Sequence, residues 1–242
     1  MTTPLLSERT SVRATVASAT SGYVVRFSVW QRVQHAMILV LFVLLLATGL
    51  PQKWPYADWS GWTIDALGGV WAARWLHRVA GLVFTVLTVA HIAWASWTLL
   101  TRRAKPSMLI TRKDFTDAVE TLQYYLGRRE KPPRYPRFDY KQKFEYWGLI
   151  FGSLIMAFTG LVLYYPILFS SYLPAELIPA AKVMHSNEAM LALLIVIVWH
   201  IWGVLFSPEV FPLDTSIFTG RISKERLKHE HGIEYEEKFG KG

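Results

Sequence analysis

The chain has 242 residues, 52% of them hydrophobic, a formal net charge of +8 and no cysteine. Without cysteine there can be no disulfide, no thiolate-held iron–sulfur cluster and no c-type haem attachment, so any such carrier must sit on a partner. The basic excess could suggest nucleic acid, but its placement argues for topology and against a nucleic-acid ligand. Residues 101–143 hold 12 Lys or Arg, the first 32 residues hold four and the tail after Phe206 holds six, whereas the remaining connections carry only Lys53, Arg74, Arg78 and Lys182.

Four apolar stretches, at 29–50, 71–100, 144–169 and 183–206, each meet the roughly 20-residue requirement for crossing a bilayer. They are apolar all round, unlike the striped helices of a soluble bundle. The expected fold is all-α, a four-helix transmembrane bundle. Cytoplasmic connections carry the excess of Lys and Arg, so the N and C termini and the 101–143 connection are expected to be cytoplasmic. Three segments follow: a flexible N-terminal tail over 1–25, a membrane domain over 26–206 that includes the basic 101–143 connection, and a cytoplasmic tail over 207–242.

In chain order, residues 1–25 are rich in Ser, Thr and Ala and lack the apolar core of a signal peptide. The first helix begins near Val29 and ends at Gly49-Leu50-Pro51. An outer connection dense in Trp, Pro and Tyr suits the membrane interface, and the second helix starts near Gly69-Val70-Trp71. Within 111–126 the apolar residues Phe115, Val119, Leu122 and Leu126 fall at spacings of 4, 3 and 4, which predicts a short amphipathic helix along the membrane or against a partner. The third helix carries Gly148, Gly152, Ala157 and Gly160, small residues that favour close helix packing. His229 and His231 fall in the polar tail, where exposure to solvent is expected.

Histidine within a membrane span is costly and marks a functional site. Here the second apolar stretch carries His77 and His91, and the fourth carries His185 and His200. At 1.5 Å per residue each pair is separated by roughly 21 Å along its helix. Both helices run in the same direction, so His77 faces His185 at an outer level, with His91 and His200 near one inner level. Two flat cofactors, each held by two imidazoles, fit this layout: two haem b groups ligated for electron transfer. His35, on the first helix beside Arg32, competes for the inner place; depth favours His91, and both remain open. A histidine-based ion or proton transporter and a haem-free membrane anchor of a redox complex are the competing readings. Arg74 and Arg78 flank His77, and Arg32 lies near His35; each could pair with a haem propionate through its bidentate guanidinium. Glu188 shares a helix face with His185, within one turn, and could relay protons.

These residues carry a family resemblance. Arg32-Val33-Gln34-His35 with Thr48-Gly49, Trp75-Leu76-His77-Arg78, Tyr140-Lys141-Gln142-Lys143, Thr159-Gly160-Leu161 and the His185/His200 pair resemble the cytochrome b (gamma) subunits of membrane formate dehydrogenases and NiFe hydrogenases. The resemblance covers nearly the whole chain after residue 25. It implies that His35 pairs with His200 and His77 with His185. It further implies a multi-pass subunit of a prokaryotic cytoplasmic membrane that passes electrons between a redox partner, of iron–sulfur or c-cytochrome type, and the quinone pool. The quinone, menaquinone or ubiquinone, is then expected near the inner haem, where Asp139, Gln142 and Lys143 match the family's positions and offer acid–base and hydrogen-bonding chemistry. His91 is an addition to that pattern. The His77/His91 and His185/His200 ladders also resemble the cytochrome b of quinol–cytochrome c reductases, although the Pro-Glu-Trp-Tyr motif of those complexes is absent.

Overall fold

A computed structural model describes residues 22–208 and 210–240. Most of the segment expected to be a mobile tail therefore lies outside the described residues, and its last three, Tyr23–Val25, form strand β1. Helix α1 spans Val29–Lys53. Ser28 and Gln31 start it with a capping box: Gln31 N–H donates to Ser28 Oγ at 3.3 Å and Ser28 N–H to Gln31 Oε1 at 2.9 Å. Pro51 removes a backbone donor in the last turn, and the helix stops within one more turn.

The connection after α1 is more ordered than its sequence suggests. It contains helix α2, Asp58–Ala66, and Ser60 is buried with its hydroxyl donating to the Trp54 carbonyl at 2.6 Å. Gly68 and Gly69, at φ of +88° and +93°, turn the chain into α3, Val70–Leu100; that backbone is open to glycine and strained for other residues. Helix α4, Arg112–Tyr125, follows the predicted amphipathic pattern. Asp114 caps it by accepting from the Thr111 N–H at 2.6 Å and the Thr111 hydroxyl at 2.8 Å. Helix α5, Tyr140–Tyr164, opens on a reciprocal pair in which Gln142 N–H donates to Asp139 Oδ1 at 2.8 Å and Asp139 N–H to Gln142 Oε1 at 3.2 Å. A short α6, Pro166–Ser170, leads to the last crossing, α7, Leu177–Phe206. Its backbone changes from α to π hydrogen bonding over Val196–His200 and again over Trp202–Phe206.

The chain divides into two compact units, one built from residues 1–33, 107–144 and 214–242, the other from 34–106 and 145–213. In the first, β1 pairs antiparallel with β2, Arg221–Ser223, placing Val24 opposite Ile222. Short helices α8, Ser216–Thr219, α9, Lys224–Glu230, and α10, Gly232–Phe239, surround this ribbon. Val24, Ile222 and Leu227 form its core, with Tyr235 against it. So small a core is reinforced by buried charge. Arg26 donates to Glu234 at 2.6 Å, with both side chains under 5% exposed.

His231 departs from expectation here. It is 4% exposed, with Nδ1–H donating to the Pro136 carbonyl at 2.8 Å and Nε2 facing an Arg26 guanidinium nitrogen at 3.0 Å. Burial, with the Arg26 charge second, pushes its pKa down to about 4, so it is held neutral. The sequence around it is polar, but the ribbon and α10 fold over it. His229 is exposed, as expected.

The second unit holds most of the four long apolar helices α1, α3, α5 and α7, each long and apolar enough to cross a membrane. Where they touch, their buried positions are mainly small: Thr48, Ala73, Ala80, Ser153, Thr159 and Ala181. Small residues allow close approach where lipid offers no hydrophobic force to drive helices together. The most apolar stretch of α7 buries none of its residues within the chain. Surface of that kind needs lipid, cofactor or a partner helix to cover it.

Candidate functional site

At one end of the second unit, α3 presents His77 to His185 of α7, their ring centroids 6.3 Å apart. Each ring is held in the same way by a different helix. Thr48 on α1 places Oγ1 2.9 Å from His77 Nδ1, and Thr159 on α5 places Oγ1 2.9 Å from His185 Nδ1. Both hydroxyls donate at 2.7 Å to the carbonyl four residues back, Leu44 or Ile155, so each accepts from the imidazole Nδ1–H. That fixes the tautomer and leaves Nε2 with its lone pair free for a metal. The next residue in each helix is glycine for a steric reason. A Cβ on Gly49 would stand 3.0 Å from His77 Cε1, and one on Gly160 would stand 3.3 Å from His185 Cε1. The Thr-Gly pairs are thus cradles for two facing rings.

The other level is built differently. His35 of α1 faces His200 of α7 with centroids 6.2 Å apart. His200 Nδ1 lies 3.3 Å from Glu145 Oε2, so a carboxylate takes the place that threonine fills at the first level. His200 also ends a π-helical turn, a local widening of the backbone common at functional sites. His91, which depth alone favours opposite His200, is turned elsewhere. Its Nε2 is 3.1 Å from the Tyr146 hydroxyl and its Nδ1 3.4 Å from Gln34 Oε1.

These spacings can be compared with what a metal-centred planar ring requires. Two imidazoles bound at about 2 Å to one iron hold their centroids about 6 Å apart. Both pairs meet that distance, each half-buried, and at the His77/His185 level both Nδ1 atoms are already occupied. The residues fit haem.

The remaining charged candidates divide. Arg32 donates to the Phe218 carbonyl, and its buried Nε has no hydrogen-bond partner among the described residues. Arg74 is exposed, and Arg78 lies 5.3 Å from the Tyr164 ring centre. Asp139 and Gln142 form the cap of α5, while Lys143, 4% exposed, pairs with Asp114 at 2.8 Å. Glu188 sits over Gly152, whose Cβ would stand 2.5 Å from the carboxylate oxygen. Gly152, read from sequence as helix packing, therefore leaves room for an acid within the membrane.

Reasoning from the sequence missed Glu145, Tyr146 and Gln34, which read as ordinary residues at the ends of their helices. It also missed the task of the Thr-Gly pairs. Their signal was present: the same dipeptide occurs in two of the four apolar stretches.

Four helices long and apolar enough to cross a membrane, with histidine pairs that fit a planar, metal-centred group, define the class: a membrane protein suited to a haem-type cofactor. The chain belongs to the prokaryotic cytochrome b561 family, whose model matches residues 26–219. It is 25% identical over 217 residues to the cytochrome b556(fdo) subunit of formate dehydrogenase from Escherichia coli K12, covering 88% of this chain and 92% of that subunit. The same subunit from the O6:H1 and O157:H7 strains matches equally. Membership makes this chain a membrane electron-transfer cytochrome and implies haem b.

Proposed function

We propose that the chain holds two haem b groups and carries electrons across the cytoplasmic membrane of a prokaryote, between a redox partner subunit and the quinone pool. The observation that carries this reading is the pair of facing imidazoles at each of two levels, 6.3 and 6.2 Å between centroids. His77 and His185 would hold one haem, His35 and His200 the other. Bound haem b supplies a one-electron carrier at each level. The protein's part is to orient and tune. Thr48 and Thr159 fix neutral imidazole tautomers, Glu145 places a negative charge behind His200, and Arg32, Arg74 and Arg78 are available to propionate carboxylates. Held between two imidazoles, each haem would offer oxygen no open coordination site, which suits electron transfer.

The partner is taken to be the electron-exchanging subunit of a membrane complex, of iron–sulfur or c-cytochrome type, as the likeness to a formate dehydrogenase subunit suggests. Quinone exchange is placed at the level of His35 and His200. Asp139, Gln142 and Lys143 already hold partners, so bonding a quinone through them requires one of those bonds to exchange. Gln34, His91 and Tyr146 offer a second source of hydrogen bonds, because Gln34 adjoins His35 and Tyr146 adjoins Glu145 in the chain. Glu188 has no ion-pair partner among the described residues and is proposed as a proton-relaying group within the span. If Glu188→Gln leaves quinone-coupled proton uptake unchanged, that role is dropped.

A pyridine haemochrome assay on purified chain tests the main reading. Two haem b per polypeptide are expected. No haem in folded protein would reject it in favour of a transporter or a haem-free anchor.

A further inference from the structure

Helix α4 is amphipathic in the reverse of the usual sense for a helix packed on its own domain. Its polar residues Asp114, Asp117 and Thr121 are buried, at 6%, 1% and 4% exposure, where Asp114 meets Lys143 and Thr121 meets the Tyr135 hydroxyl at 2.8 Å. Its apolar residues face outward: Phe115, Val119 and Leu122 are 69%, 54% and 59% exposed. Leu109 and Ile110 before the helix and Leu126 after it extend the apolar surface, and each is more than 40% exposed. A capped, charge-anchored polar face fixes the helix in this orientation, so the outward stripe is held in place by the fold.

We infer that this stripe seats in the membrane surface, among anionic lipid headgroups on the side that carries the termini. Two observations favour lipid over a protein partner. The stripe is bracketed by exposed cations, Arg102, Arg103 and Arg112 before it and Arg128 and Lys131 after it, which make no ion pair among the described residues; of the acids nearby, Asp114, Asp117 and Glu120 lie on the polar side and Glu130 is exposed. Lys113 and Arg129 are engaged by Asp117 and Glu120 on the polar side. The helix is also tied at both ends to membrane crossings, by residues 101–111 from α3 and 126–139 to α5. A helix tethered at both ends to membrane crossings meets the bilayer surface at a high effective concentration, which favours that surface over a freely diffusing partner. An apolar face with a basic border binds interfacially, and anionic lipid strengthens the attachment.

The native chain has no cysteine, so single spin labels report without background. Leu122→Cys and Phe115→Cys on the stripe, with Glu120→Cys away from it, are read in the full chain in nanodiscs. One set contains phosphatidylglycerol and the other phosphatidylcholine alone. With phosphatidylglycerol, the two stripe labels are expected to show a several-fold higher ratio of oxygen to aqueous-nickel accessibility than the Glu120 label. That contrast should fall in phosphatidylcholine and on Arg112→Glu with Arg128→Glu. Equal accessibility at all three positions overturns the proposal. So does shielding of the stripe labels that requires added redox subunits, which would make α4 a protein interface. Equal seating in both lipids overturns the anionic preference.

Discussion

The two histidine levels solve one problem with different chemistry, and the difference bears on what each does. At the His77/His185 level both rings donate to threonine hydroxyls, and the arrangement repeats across two Thr-Gly pairs on α1 and α5. It is neutral and almost symmetric. At the His35/His200 level a carboxylate, Glu145, stands behind one ring, no hydroxyl among the described residues supports the other, and His91 and Tyr146 hydrogen bond to each other. A charge behind a ligand makes the imidazole a stronger electron donor and stabilises the oxidised metal. The first level is built for fixed geometry, and the second places a carboxylate and exchangeable protons beside the facing imidazoles.

The strongest way to break this contrast is to fill a cradle. Gly160→Leu or Gly49→Leu drives a side chain into the ring that each glycine admits. Either should abolish the haem at that level and spare the other, halving the haem b content measured per chain. Removing the hydroxyl is milder. Thr159→Val leaves the His185 ring without its partner, and haem retention at that level should weaken by roughly ten- to a hundredfold, as for other losses of groups behind a metal ligand. Extraction by apomyoglobin measures it. Glu145→Gln should leave both haems bound and raise the midpoint potential of one. A redox titration in which both midpoints stay put would remove the distinction between the levels.

A smaller effect lies in the ribbon unit, away from both levels. His231 is neutral at a pKa of about 4 when folded, against an ordinary value near 6.5. Between these values the unfolded chain binds the extra proton, so this unit gains stability as pH rises through the window and loses it as pH falls. The full loss is roughly 3 kcal/mol. The nearby Glu234 and Asp214 carboxyls are held below their ordinary values and titrate further into acid. Hydrogen exchange in α10 should therefore accelerate as pH is lowered from 6.5 to 4, after correction for intrinsic rates, and His231→Gln should flatten that dependence.

The four crossings were legible because twenty apolar residues in a row have few other uses. The amphipathic helix was legible too, since Phe115, Val119 and Leu122 share a face, although which face points outward was not. Strands Tyr23–Val25 and Arg221–Ser223 gave no signal: each has three residues, and their partners lie at opposite ends of the chain. The burial of His231 was hidden for the same reason. At the second level, depth along a helix is readable from sequence but rotation about its axis is not. One residue is about 100° of rotation, enough to decide whether His91 faces His200 or Tyr146. The motif resemblance implied His35 opposite His200, and the side-chain geometry puts His35 there.

The most direct measurement is haem b per chain in His35→Ala and in His91→Ala, each beside the parent protein. The account predicts two haems in the parent, one in His35→Ala and two in His91→Ala. One haem in His91→Ala with two in His35→Ala would contradict it, and His91 would become the ligand opposite His200.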